Sequence, residues 1–84
     1  MPEHRGASAI TIGNRHAARL QPGGSIEMPH APFLHVFTAR GDITVEGAGA
    51  LDQGDAARIT GAGGQRLTAV SPAEVLVWEM RARA

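Results

Sequence analysis

Short runs of alternating apolar and polar residues, separated by glycine, proline and aspartate, make up the chain from residue 9 onward. The run Phe33–Ala39 is rich in aromatic and β-branched side chains, and Gly41 interrupts it with a residue that can take a positive φ. A period of two favours strands, and the Gly-Asp pairs between the runs favour turns. The pattern predicts strands at residues 9–12, 16–20, 25–28, 33–39, 43–45, 56–60, 65–70 and 74–80, with a further short strand that follows the Glu46-Gly47 turn and ends at Leu51.

No helix is expected. Residues 17–20 favour helix by composition, but the segment between the neighbouring turns is too short to form a stable one. Gln21–Gly24 is predicted to be a turn, and Pro29–Pro32 a stiff connection, because proline cannot donate to a central strand. Many short strands with frequent turn signals predict an all-β fold with little or no helix, a small antiparallel β-sandwich or barrel of jelly-roll type.

One core is expected between the faces of the sandwich. A slip of one residue would exchange the buried and exposed faces of any strand. The predicted core residues are Ile10, Ile12, Leu20, Ile26, Leu34, Val36, Val45, Leu51, Ile59, Leu67, Leu76 and Trp78.

Length and composition set outer limits on organisation and location. The 84 residues suffice for one domain, predicted at residues 9–84, preceded by a flexible or edge-lying arm at residues 1–8. Cysteine is absent, which excludes disulfides and thiolate chemistry and suits a cytoplasmic location. The formal net charge is 0, so no nucleic-acid partner is expected. No apolar run reaches the ~18–20 residues of a membrane span, and the polar start is unlike a signal peptide.

Several segments, in order and spacing, resemble the C-terminal cupin domain of the pirin family, the quercetinase-like bicupins. The resemblance extends from about Ala9 to Met80. The matching segments are Phe33–Val36 with Arg40-Gly41, Ile43–Val45 with Gly47, Leu51 with Gly54–Ile59, and Ala73–Met80. The resemblance implies a small cupin. It also implies that full-length relatives carry two cupin domains, with the metal in the N-terminal one. The chain is therefore expected to be either a stand-alone cupin or one domain of a longer protein, without a cofactor.

The cupin metal motif, two histidines, a glutamate and a glycine followed by a later histidine, tests this expectation residue by residue. Imidazole and carboxylate suit borderline divalent ions. Aligned on Gly41 and Gly54, the ligand positions of the motif fall on Met28, His30, Leu34 and Gln65. Because His30 alone is a good ligand, these four residues are candidates for lining a pocket and not for a metal centre.

A sparse metal site is the alternative. His30 and His35 would form it if both pointed into the barrel, with Glu27 or Glu46 as a third ligand. Iron, nickel, copper or zinc would be the ions for such a site.

The remaining polar motifs favour ordinary structural roles. His4 and His16 are expected at the surface. Asp52 and Asp55 flank Gly54 and are expected to accept backbone N–H groups in a turn. Gly61–Gly64 lacks the lysine and the helix of a phosphate-binding loop.

Three functions from different classes follow. The first is a non-catalytic structural module that forms a homodimer, because a small sandwich with free sheet edges gains from association. The second is a cupin that binds a small apolar ligand in its barrel. The third is a metal-dependent oxygenase resembling quercetin 2,3-dioxygenase, which is disfavoured by the missing ligands.

Overall fold

The structure, a computed structural model, describes residues 5–81, and within this range the chain forms eight strands and no helix. No helix that could span a membrane is present in this range. The all-β prediction is confirmed. The strands are β1 (Arg5–Ile12), β2 (Arg15–Glu27), β3 (Ala31–Arg40), β4 (Ile43–Val45), β5 (Gly49–Leu51), β6 (Ala56–Ala62), β7 (Arg66–Ala69) and β8 (Ala73–Met80).

Antiparallel pairing links the strands in the order β5-β4-β7-β2-β8-β3-β6, and β1 pairs with β2. The long strand β2 belongs to two layers. Residues 15–20 pair with both β1 and β8, whereas residues 25–27 pair with β7. The result is a barrel-like sandwich in which the layer β1-β2-β8-β3-β6 faces a smaller layer of β7, β4, β5 and the end of β2. The predicted jelly-roll type of architecture is confirmed.

The turn predicted at Gln21–Gly24 is wrong, because β2 continues through this segment. The segment is where β2 changes its neighbour from β8 to β7, and the register with β1 also shifts here. Pro22 therefore removes no hydrogen bond from a regular ladder. The turn signals in the sequence mark an irregular stretch within one strand.

The start of β3 also differs from the prediction. β3 begins at Ala31, so Pro32 lies inside a strand and not in a connection. Pairing with β8 starts only at Phe33. At Pro32, β3 has β6 as its single neighbour, and a proline can therefore be accommodated there.

The core fills the space between the two layers. Among the predicted core residues, seven are buried and one is partly buried; these are Leu20, Ile26, Leu34, Val36, Val45, Leu51 and Leu67, with Ile59 as the partly buried one. The prediction that Ile10 and Ile12 lie in the core is wrong, since these side chains are 66% and 74% exposed on β1. In β8 the buried side chains are Ala73, Val75 and Val77, so the assignment of Leu76 and Trp78 to the core is wrong by one residue.

Candidate functional site

The hairpin between β1 and β2 packs against the end of β8 and brings three polar side chains together. The two strands are joined by a two-residue turn, Gly13–Asn14. Asn14 fixes this turn to β8, because its carbonyl accepts the Glu79 backbone N–H at 2.8 Å and its side chain donates to the Glu79 carbonyl at 2.9 Å. The cross-strand neighbours Thr11 and His16 thereby come close to Glu79.

Hydrogen bonds connect Thr11, His16 and Glu79, which we call the triad. His16 Nε2 lies 2.5 Å from Glu79 Oε2, and His16 Nδ1 lies 2.8 Å from Thr11 Oγ1. The side chains of His16 and Glu79 are 20% and 30% exposed, so water screens the pair only in part. Both ring nitrogens of His16 thus have a partner, Nε2 the Glu79 carboxylate and Nδ1 the Thr11 hydroxyl. The triad therefore holds the imidazole in one orientation.

A cavity of about 170 Å³ opens beside the triad, and we call it the triad cavity. Thr11, His16 and Glu27 are the polar residues among those that line it. The rest of its wall is mainly apolar, and Met28 at its inner end is only 2% exposed. The other lining residues are Ala9, Ala18, Ile26, Pro29 and Val77. Apolar walls with a few convergent polar groups are typical of sites for small organic molecules.

His30 lies next to a second, larger cavity of about 460 Å³, which Glu79 also lines. Its ring packs directly on Gly63, where any Cβ would collide with the imidazole. Gln65 fixes the same loop, because its side-chain oxygen accepts the Gly63 N–H at 2.7 Å and its carbonyl accepts the Met28 N–H, also at 2.7 Å. The loop therefore holds His30 at the rim of the sandwich.

The four pocket candidates from the sequence are distributed over different environments. Met28 lines the triad cavity, and His30 lines the second cavity. Gln65 contacts the loop under His30 and supports it. Leu34 is fully buried in the core.

The sparse metal site of His30 and His35 does not form. Leu34 and Val36 face the core, so His35 between them points to the opposite side of the layer, where its ring lies 5.6 Å from that of Trp78. Among residues 5–81, no group of three or more histidine, aspartate or glutamate side chains is placed to hold a metal ion. The donor set at the cupin ligand positions, with methionine, leucine and glutamine beside one histidine, does not fit a divalent ion.

The Asp55 side chain has the structural role predicted for it, whereas Asp52 contributes to the turn through its backbone. The Asp55 carboxylate accepts the Asp52 N–H at 2.9 Å, and the Asp55 N–H donates to the Asp52 carbonyl at 2.8 Å. His4 lies outside the described residues.

The outward side of the five-stranded layer is largely apolar, and we call it the outer face. Cross-strand pairing aligns its side chains in rows, because directly paired residues point to the same side. One row runs Ile10, Ala17, Leu76, Phe37 and Ala56, and the next runs Ile12, Arg15, Trp78, His35 and Arg58. Phe33 and Met80 form a further apolar pair beyond Trp78. Ile10 and Ile12 are 66% and 74% exposed, whereas the large side chains of β3 and β8 on this face are partly buried.

Neither the triad nor the outer face was predicted from the sequence. His16 was expected to be an ordinary surface residue, since its partner Glu79 is distant in sequence and becomes its neighbour only through the pairing of β2 with β8. The outer face did leave a signal: β8 is apolar at nearly every position from Ala73 to Met80 and so lacks the polar positions of a strand with one solvated side.

This architecture defines a cupin domain, and comparison with solved structures agrees. YhaK from Escherichia coli matches 81% of this chain and 32% of its own length, with a TM-score of 0.74 and 25% identity. A cupin domain of a transcriptional regulator from Enterobacter cloacae matches 92% of this chain and 96% of its own length, with a TM-score of 0.71 and 18% identity. The second likeness concerns the fold alone.

The family follows from sequence comparison. The model of the quercetinase C-terminal cupin domain matches residues 13–80, and the chain belongs to this family. Proteins of Mycobacterium tuberculosis and Mycobacterium bovis that carry the name "Putative quercetin 2,3-dioxygenase" are 50% identical over 80 residues, which is 90% of this chain. The chain spans about a third of the length of these curated relatives, 33%. The resemblance to the C-terminal cupin domain of the quercetinase-like bicupins, expected from the sequence, is confirmed.

Proposed function

We propose that this cupin domain is a non-catalytic module that associates with a second copy of itself through the outer face. The observation that carries the proposal is the alignment of Ile10 on β1, Phe37 on β3, and Leu76 and Trp78 on β8, on the side of the layer away from the core. Large apolar patches on a soluble domain are unusual and mark interaction surfaces.

The size of the outer face fits a stable dimer. Five strands ~4.8 Å apart and about six residues of ~3.3 Å along each strand give roughly 500 Å² of flat sheet. Side-chain relief raises the accessible area above this value, towards the ~800 Å² per partner of a standard interface. A recess of about 340 Å³ beside Ile10 and Leu76 offers room for side chains of a partner.

Arginines lie at both ends of the outer face. Glu74 is at one end, between Arg19 at 3.3 Å and Arg40 at 4.0 Å, and Arg15 and Arg58 lie towards the other end. Charge therefore selects no orientation of the two copies, and the apolar rows carry the contact. Because the same rows of both copies face each other, the contact has a twofold axis. Such a twofold contact is self-complementary and closes at two copies.

Sedimentation equilibrium over a range of concentrations tests the proposal. The wild-type chain is expected to be a dimer at micromolar concentration. Leu76→Glu places a carboxylate at the centre of the interface, where its burial costs several kcal/mol. The dissociation constant of the dimer should therefore rise by roughly 100-fold or more. The matched control is Val70→Glu, which changes an apolar residue 61% exposed outside the five-stranded layer and should leave the dimer intact. A monomeric wild type, or equal effects of both variants, would contradict the proposal.

A second candidate function, binding of a small apolar molecule, is favoured by the triad cavity. Its volume of about 170 Å³ and its mainly apolar wall match a single-ring compound. This candidate does not depend on the dimer, because Met28 and the triad lie on the core side of the layer and not on the outer face.

The name of the mycobacterial relatives suggests a third candidate, quercetin dioxygenation. Quercetin dioxygenation is not proposed for this chain, because the side chains at the cupin ligand positions do not fit a divalent metal. No oxygenase step is derived from these residues.

A further inference from the structure

One end of the outer face carries positive charge on both sides of two aromatic rings. Cross-strand pairing places Arg15 on β2, Trp78 on β8, His35 on β3 and Arg58 on β6 in one row, and we call these four side chains the cationic row. Directly paired residues share a side of the sheet, so all four point away from the core, as His35 does.

Arg15 and Arg58 have no carboxylate near them. Among residues 5–81, the ion pairs of arginine involve only Arg19 and Arg40, which share Glu74 at the other end of the outer face. The neighbours of the cationic row on the same side of the sheet lie two positions away along each strand, and none of them is acidic. The chain as a whole has a formal net charge of 0, so this positive charge is a local feature that arises from the strand pairing.

The two rings form the floor of an open recess of about 430 Å³, which both arginines also line. The ring centroids of Trp78 and His35 lie 5.6 Å apart, and Met80 adds an apolar wall. A guanidinium binds a carboxylate or a phosphate through two parallel hydrogen bonds, and an indole offers a flat apolar surface on which a ring can stack. The recess therefore combines the two contacts that an anionic group attached to a planar ring requires.

We infer that the cationic row binds small organic anions in which a planar ring carries a carboxylate or a phosphate group. The ring packs on Trp78, and the anionic oxygens accept hydrogen bonds from Arg15 or Arg58. The site is complete within one chain, so the inference does not rest on self-association. A second copy on the outer face would cover Trp78, and the ligand and the second copy therefore exclude each other.

Trp78 is the only tryptophan of the chain, so its fluorescence reports on this recess directly. Three probes, titrated into the millimolar range at constant ionic strength, separate charge from ring: benzoate has both, benzamide lacks the charge and cyclohexanecarboxylate lacks the planar ring. Benzoate should bind about 10-fold more tightly than benzamide and about 3-fold more tightly than cyclohexanecarboxylate. Phenyl phosphate distinguishes the two anionic groups, because tighter binding than that of benzoate assigns the phosphate and weaker binding assigns the carboxylate.

Variants assign the charge contact to the two arginines. Arg15→Gln and Arg58→Gln each remove one guanidinium from an exposed strand position, so the preference for benzoate over benzamide should fall to about 3-fold or less. Arg66→Gln is the control, since Arg66 is an exposed arginine of β7 outside the outer face, and it should retain the preference. Equal affinities of the wild type for benzoate and benzamide, or a preference that both Arg15→Gln and Arg58→Gln retain, overturns the inference.

The same titration at two protein concentrations separates the inference from the proposed self-association. If the outer face forms the dimer, benzoate should bind less tightly at the higher concentration, where a second copy covers Trp78. An affinity that is independent of concentration but lost in Arg58→Gln would keep the site and overturn the outer-face contact. A dimer whose Trp78 fluorescence responds to no probe at either concentration would overturn the site and keep the contact.

Discussion

Gly41 lies in the turn between β3 and β4, where two separate constraints require a glycine. Its φ is +76°, a conformation that L side chains rarely adopt. A Cβ at this position would lie 2.9 Å from the Pro72 carbonyl carbon, 3.0 Å from Ala73 Cα and closer still to the Pro72 oxygen. These atoms are backbone at the start of β8, so no side-chain rotation can relieve the collision.

The cost of Gly41→Ala can be estimated from these two terms. The left-handed conformation costs an alanine about 1–2 kcal/mol. Displacing the packed backbone of β8 adds overpacking strain of about 1–3 kcal/mol. The free energy of unfolding should therefore fall by about 2–5 kcal/mol, a large part of the ~5–15 kcal/mol available to a small domain.

Gly54→Ala is the matched control. Gly54 also has a positive φ, +91°, but a Cβ there would meet nothing within 4 Å. The conformational cost and the loss of chain entropy in the unfolded state are common to both variants and cancel in the comparison. The difference of about 1–3 kcal/mol isolates the collision with β8.

Thermal and urea unfolding at one fixed protein concentration measure this difference, since dimerisation would otherwise change the apparent stability. For a domain of this size, ~1 kcal/mol lowers Tm by about 4–8 °C, so Gly41→Ala should melt well below Gly54→Ala. Equal melting temperatures would refute the reasoning, because they would mean that the backbone of β8 yields at no cost.

Further predictions concern the core and the metal. Leu34 is fully buried, so Leu34→Ala should lower the free energy of unfolding by about 2–5 kcal/mol in urea titration, and a loss below ~1 kcal/mol would contradict its place in the core. Thr38 is buried with a hydroxyl that has no hydrogen-bond partner within residues 5–81. Thr38→Val should therefore stabilise the domain by about 1 kcal/mol, whereas Thr44→Val at an exposed position should change little. Elemental analysis of protein purified without an affinity tag should find no stoichiometric iron, nickel, copper or zinc, and near-equimolar metal would contradict the ligand argument.

Strand content was predictable because short-range signals determine it. Alternation from Phe33 to Thr38 places every second side chain in the core, as expected, and the turn at Gly41 is where the glycine indicated it. These signals involve neighbouring residues only and need no knowledge of tertiary contacts.

The candidate site was far less predictable. Met28 and His30 do line cavities, but the triad depends on a hydrogen bond between residues 63 positions apart, His16 and Glu79. The sequence also did not indicate that Val75 and not Leu76 is the buried residue of β8. Both residues are apolar, so either face of the strand could be the one that packs on the core.

The sequence by itself determined a cysteine-free, all-β cupin domain and the absence of a complete metal-ligand set at the cupin positions. These conclusions follow from residue types and local order. Tertiary structure alone decided which side of β8 is buried and which polar groups meet at the β1–β2 hairpin. The reason is physical: side-chain direction and long-range pairing are set by how the two layers close over one core, and the energy of that closure is shared by residues distant along the chain.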